Sequence, residues 1–406
     1  MGRHRHRIAG GRPVSGPSLA PSLADVQPSL IRELANVAFG MEGVLRLQFG
    51  ESNLPTPDYI VAAVSQAIAD GYTFYTENAG LPSLRDAIAA KYAQLHRVAL
   101  DPAREVLITA SGVQALNVSI RCVIDYGDEA LVLSPNWPNG SAIVEMFGAR
   151  AREIPLVRQG DRYTIDFDAL AAALTPRTRL LIYTSPSNPL GWVATVTEQQ
   201  ALLDFCRAHT LWLLADEVYE RLYYGSSKGG GTVAPSILRL CSWEDAVIVV
   251  QSFSKSYRMT GWRLGWVVSR ADLIAKASQL NEFIVSHAAS MIQKAGEAAL
   301  AQGDDEIAGM VELFHERMSF CYDALASVPR ISLSKPEGAF YLFPQIDGVE
   351  NSFEFALALL KEERVAVAPG NAFGNGGEGA IRICYAPGME VLEPAMARFV
   401  RFVERF

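Results

Sequence analysis

The stretch AVIVVQSFSKSYRMTGWRLG, residues 246–265, decides the fold. Its first five residues are apolar, with no polar alternation. A strand with one wet face alternates; a strand covered on both faces does not. Ala246–Val250 therefore reads as a central strand of a mostly parallel sheet covered by helices. In open α/β sheets, ligands bind beyond the carboxyl ends of the strands. Ser252, Ser254, Lys255 and Arg263 follow this strand directly. A solvated loop would explain any one of them, since lysine is rarely buried. Placed together, they point to an anionic ligand beside an amine held for chemistry.

Working outward, Val106–Thr109, Leu180–Thr184 and Leu211–Ala215 show the same unbroken pattern, as does Ala130–Leu133. Helices are predicted over 113–124 and near 197–209. Gly265–Ser269 reads as an antiparallel return. Past residue 286 the pattern changes. Ile307, Met310, Phe314, Met318, Cys321 and Leu325 recur at helical spacing. Short strands follow at 339–343, 365–368 and 381–385, then a closing helix over 391–403. The fold class is α/β, with a mostly parallel central sheet covered by helices and a smaller α+β domain. The expected division is a large domain over 57–286 and a small domain from 25–56 plus 287–406. Residues 1–24 hold several Arg, Pro and Ser and no acid, and read as a disordered tail. They lack the apolar core of a secretory signal; an organelle transit peptide is the alternative.

The 406 residues are 50% hydrophobic and 20% charged, with net charge −8. That balance argues against broad nucleic-acid binding. No apolar run approaches the ~18–20 residues that span a bilayer, so no membrane partner is expected. The 5 cysteines are scattered without a CxxC pair, and the 6 histidines form no HxxxH pair. Neither a disulfide framework nor a metal site is expected, and a cytoplasmic location fits.

The other strand ends carry complementary chemistry. After Thr109 come Ser111, Gly112 and Val113, opening a helix whose free N–H groups suit a phosphate. Trp137 follows the second strand and can cover a planar ring. Asn188 follows the third; Asp216 and Tyr219 follow the fourth. Each has a plain structural reading: Asp216 as a helix cap, Trp137 as core, Asn188 as a turn residue, Arg263 as a surface ion-pair partner. Jointly they match one ligand, an aromatic pyridine bearing a phosphate, a phenolic oxygen and an aldehyde. That is pyridoxal 5'-phosphate (PLP), whose aldehyde a lysine captures as a Schiff base.

The motifs SPSNPLG (185–191), ADEVYERLYY (215–224), SFSKSYRMTGWRLG (252–265) and RICYA (382–386) make a wider pattern, with YTENAGLPSLRDAIA (75–89) before the first phosphate loop. Over roughly residues 40–400 the chain resembles the fold type I PLP enzymes, and within them the class I/II aminotransferases of the aspartate aminotransferase family. The resemblance implies that Lys255 is the Schiff-base lysine and that Asp216 pairs with the pyridine nitrogen. It implies Asn188 and Tyr219 as donors to the phenolic oxygen, and Trp137 as the stacking ring. Ser111, Gly112, Val113, Ser252, Ser254 and Arg263 would hold the phosphate. Tyr75 would reach the phosphate of the neighbouring subunit, in a homodimer with shared active sites. Arg382 would grip the substrate α-carboxylate beside Asn188, with Gly50 closing the other side. The implied reaction moves the α-amino group of an amino acid to a 2-oxo acid by a ping-pong mechanism.

Leu190 stands where the family's NPxG motif usually has Thr. Val113 stands where one aspartate-using subgroup has a lysine, and no arginine lies between Arg270 and Arg317. No cation is evident for a side-chain carboxylate, so a neutral or aromatic amino donor is at least as well supported as a dicarboxylate. A PLP-dependent lyase eliminating a β or γ group is the rival reading, because it could use the same residues. Ser252–Lys255 also fits the SxxK motif of penicillin-recognising hydrolases, but no KTG accompanies it. Gly374–Gly379 fits GxGxxG, yet a strand rather than a helix should follow. A regulator carrying this fold behind a DNA-binding domain would need a helix-turn-helix, which the first 40 or so residues lack.

Overall fold

A computed structural model describes residues 28–225 and 233–406. The expected tail, residues 1–24, lies outside the described residues. Seven strands form the main sheet: β1 (Val106–Thr109), β2 (Glu129–Ser134), β3 (Arg150–Pro155), β4 (Thr178–Thr184), β5 (Trp212–Asp216), β6 (Val247–Ser252) and β7 (Gly265–Ser269). Their spatial order is β1-β7-β6-β5-β4-β2-β3. β7 runs antiparallel to both neighbours, β1 and β6, and every other pair is parallel.

The unbroken apolar runs have the expected cause. Successive side chains of a strand point to opposite faces. Val249, Leu213 and Leu181 enter one core, with Ile88, Leu202 and Ala299. Ile248, Val250, Leu214 and Ile182 enter another, with Leu116, Val118 and Ala277. Each such side chain contributes roughly 1.5–3 kcal/mol by leaving water. β3 was not expected, because its sequence, RAREIP, is mostly polar. It pairs only with β2, and as an edge strand it keeps much of its surface in solvent.

The helix predicted over 113–124 runs Gly112–Val123, and the one near 197–209 runs Val196–His209 behind a Thr195–Glu198 capping box. The late helices span Asp304–Ala326 and Met389–Arg405. The single strand expected over 365–368 splits in two. Val365–Ala366 pairs with Leu45–Arg46, whereas Ala368–Pro369 joins Ile381–Cys384 and Tyr341–Leu342 in a three-stranded sheet. The segment before Pro57 thus packs with the end of the chain. Leu34 and Ala38 of the first described helix share a core with Phe314, Phe355 and Phe399. Gly374–Gly379 lies in the loop before strand Ile381–Cys384 and opens no helix.

Candidate active site

Register puts the first pieces together. Gly265 pairs with Thr109 on one side and with Ser252 on the other. β7 therefore lays the turn after β1 beside the turn after β6. The approach is tight. A Cβ on Gly265 would fall 2.7 Å from the Gln251 carbonyl oxygen and from the Gly112 nitrogen. Gly265→Ala should force these backbones apart and cost about 1–3 kcal/mol. Thermal unfolding and PLP titration check this; an unchanged melting point with unchanged PLP affinity would contradict it.

Ser111 has φ 116° and ψ 161°, a region that is nearly glycine-only. Its Oγ accepts the Gln114 N–H and caps the helix. The first-turn N–H groups of Gly112 and Val113 have no place in the helical ladder. Both residues line a cavity of about 780 Å³, including its open mouth. Ser252 and Ser254 line it too, and their hydroxyls are 2.9 Å apart. Arg263, left-handed at φ 56°, donates from Nη1 to the Thr260 carbonyl at 2.6 Å.

Lys255 follows in the β6–β7 connection. Its Nζ donates to the Gly50 carbonyl at 2.7 Å. Burial pushes its ammonium down to about 8. Asp216 ends β5 and accepts the Val218 N–H at 3.3 Å. Burial pushes its carboxyl up to about 7, against the pull of the Lys255 charge. Arg382, from strand Ile381–Cys384, is 1% exposed. Nη1 donates to Asn188 Oδ1 at 2.9 Å and Nη2 to the Gln48 carbonyl at 2.5 Å. Its Nε has no partner among the described residues. The guanidinium lies over the rings of Tyr341 and Phe373, at 4.5 and 4.8 Å. Asn188 Nδ2 donates to Tyr219 Oη at 3.5 Å, and Trp137 forms part of the wall.

Known proteins match this chain in sequence and fold. The family model "Aminotransferase class I and II" matches residues 42–399. The chain belongs to that family. An aspartate aminotransferase of Geobacillus stearothermophilus is 33% identical over 95% of this chain and 99% of its own. An aromatic-amino-acid aminotransferase of Thermococcus litoralis is 32% identical over 95% of this chain and 98% of its own. Among solved structures, an alanine aminotransferase from Pyrococcus furiosus superposes with TM-score 0.88 at 28% identity, covering 96% of this chain and all of that one.

This aminotransferase transfers an amino group and depends on PLP, in the fold type I architecture. Elimination chemistry is not favoured, since the relatives are transaminases. The residues present fit the cofactor. The wall offers first-turn N–H groups, two hydroxyls and an arginine for a phosphate, one carboxylate, one amine and one indole. Asp216 is the only carboxylate and Lys255 the only primary amine among the described residues on that wall.

Of the residues singled out in the sequence, twelve reach the cavity: Gly50, Gly112, Val113, Trp137, Asn188, Asp216, Tyr219, Ser252, Ser254, Lys255, Arg263 and Arg382. Two do not line it. Ser111 opens the helix beside the wall, where its Oγ accepts the Gln114 N–H and its own hydroxyl proton stays available. Tyr75 stands outside the pocket of its own chain, 91% exposed and edge-on to His287. Sequence reading missed Leu116, Thr184, Val218, Thr260 and Tyr341. Thr184 and Val218 were findable, since they end or closely follow β4 and β5. Tyr341 gave no such signal, because it comes from the small three-stranded sheet.

Proposed function

We propose that this aminotransferase takes its amino group from a neutral or aromatic amino acid, as a homodimer with shared sites. One observation carries the substrate reading. The cations on the cavity wall, among the described residues, are Lys255, Arg263 and Arg382. Lys255, the one primary amine among the described residues of the wall, would hold PLP through its aldehyde. Arg263 binds the phosphate with Ser252, Ser254 and the N–H groups of Gly112 and Val113; Ser111 contributes through the cap that aims them. Arg382 binds the α-carboxylate, which supplies the acceptor that its Nε lacks. Among the described residues of this chain's wall no further cation is left for a second carboxylate, and Val113 and Leu116 add apolar wall.

PLP, when bound, supplies the electron sink that makes the substrate Cα–H acidic. The chain's own groups do the rest. Asp216 would take the ring nitrogen, and a proton there would keep its carboxylate ionised despite burial. Tyr219 and Asn188 donate to the phenolic oxygen, and Arg382 fixes the Asn188 amide by taking its Oδ1. Trp137 covers the ring. Gly50 closes the substrate side; a Cβ there would fall 1.9 Å from Tyr341 Oη. The Lys255 amine takes the Cα proton and returns it.

Phe74, Tyr75 and Phe283 are 79, 91 and 85% exposed, and such apolar exposure marks an interface. Tyr75 is the residue offered to the neighbouring subunit's phosphate. A monomer at micromolar concentration in sedimentation would overturn the shared-site reading. The same proposal divides the chain into a large domain over 57–286 and a small one from 25–56 plus 287–406. The separate core around Phe314 and Phe355 supports that division. A cytoplasmic location is supported by 5 cysteines, all free. No helix of the described residues is long and apolar enough to cross a membrane.

A screen of amino donors against 2-oxoglutarate and pyruvate tests the substrate reading. Neutral or aromatic donors should exceed aspartate in kcat/KM; a clear aspartate preference would overturn it. Arg382→Ala should lower kcat/KM for amino acids on the order of 10²-fold, by stripping the carboxylate of its charged partner. PLP affinity should change little. Equal loss of both would mean that the arginine serves the cofactor. Only a neutral amine captures an aldehyde, so PLP uptake by the apoprotein should accelerate with pH and level off above about 8. A rate independent of pH between 6 and 9 would contradict the lowered Lys255 value.

A further inference from the structure

The Tyr219 hydroxyl has a partner that the roles above leave out. Tyr341 Oη lies 2.8 Å from Tyr219 Oη. Both side chains are buried, and the rings meet edge-on at 80° with centroids 5.8 Å apart. Tyr341 also lines the cavity. Its ring carries the Arg382 guanidinium, and its hydroxyl sits against Gly50, whose carbonyl takes Lys255 Nζ. A tyrosine hydroxyl has one proton and two lone pairs. If Tyr219 gave its proton to Tyr341, it would have none left for a ligand.

We infer that Tyr341 is a positioning residue: it donates its hydroxyl proton to Tyr219 Oη, and thereby directs the Tyr219 proton into the cavity. The inference rests on the proposed role of Tyr219 as donor to the PLP phenolic oxygen. Donors in series polarise one another, so a Tyr219 that accepts from Tyr341 is also the stronger donor. Tyr341 touches Tyr219 and Arg382, and Cys384 is a further titratable group beside it. Lys255, Arg382, Asp216 and Cys384 act on Tyr219 as well. The expected direction of shift assumes that these stay as they are, which the Phe substitution preserves by keeping the ring under Arg382.

A donor on the phenolic oxygen stabilises its anion, so the neighbouring proton leaves at lower pH. The readout is the pH midpoint of the visible absorbance band of the PLP-loaded enzyme, measured without substrate. Tyr219→Phe should raise that midpoint. Tyr341→Phe should raise it by about half to one pH unit, the size expected for one hydrogen bond. In the Tyr219→Phe background, Tyr341→Phe should add nothing. If Tyr219→Phe shifts the band and Tyr341→Phe does not, Tyr341 is only packing and the inference is wrong. An additive double variant would likewise overturn it, because Tyr341 would then act without Tyr219. If Tyr219→Phe itself leaves the band in place, the Tyr219 assignment is what fails. Should Tyr341→Phe lose PLP, Tyr341→Trp offers an N–H donor on a ring, and a midpoint restored toward wild type supports the relay; a midpoint no nearer wild type than Tyr219→Phe counts against it.

Discussion

Lys255→Ala is expected to abolish transamination, with a loss of at least about 10⁴-fold in kcat. Lys255 is the only primary amine among the described residues on the cavity wall, so no neighbour can take over. Its Nζ is partly buried and donates to the Gly50 carbonyl at 2.7 Å, which holds it in one place. In the role proposed for Lys255 two functions would leave together: covalent capture of PLP, and proton transfer at the substrate Cα. Borohydride reduction followed by peptide mass analysis separates them from mere misfolding. In the parent enzyme it should fix the cofactor on the tryptic peptide containing Lys255. In the variant that mass should vanish while the melting profile stays cooperative. Turnover that survives the substitution would place the chemistry on another residue.

Asp216→Asn is expected to cost about 10³-fold in kcat, or about 4 kcal/mol of barrier. The amide keeps the shape of the carboxylate and discards its charge. Asp216 is the only carboxylate among the described residues on the wall, and it ends a strand buried on both faces. An unpaired carboxylate there is disfavoured, which is why its carboxyl is pushed up to about 7. In the proposed role a protonated ring nitrogen would remove that penalty, and the carboxylate would in turn keep the nitrogen protonated. PLP should still bind, because the phosphate contacts are untouched. A near-normal rate with bound cofactor would rule out this role for Asp216.

Much of the site was legible from sequence because the fold puts ligand chemistry in a predictable place. β2, β4, β5 and β6 are apolar throughout their cores, and a residue at the end of each strand or a few positions beyond it lines the cavity. Trp137, Asn188, Asp216 and Lys255 are found in this way. Arg382 came from the RICYA motif rather than from a strand-end argument. Other features were not legible. The edge strand β3 reads as polar because one side of it meets water. Ser111 reads as a phosphate ligand in its Ser-Gly-Val setting, and only the fold shows that its Oγ also accepts the Gln114 N–H and caps the helix. Tyr341 sits 122 residues from Tyr219, in a different sheet, and nothing local predicts their contact.

The chain's own order of residues determined which segments become buried strands and which polar groups trail them. Both depend on neighbours within about ten positions, through side-chain alternation and hydrophobicity. Tertiary structure decided how those groups face one another. The insertion of β7 between β1 and β6 brings Gly112 against Ser252, and only a glycine at 265 allows that approach. Arg382 closes on Asn188 across 194 residues, and Tyr341 reaches Tyr219 from the small sheet. Such contacts follow from register and packing of whole elements, which no short window of sequence encodes.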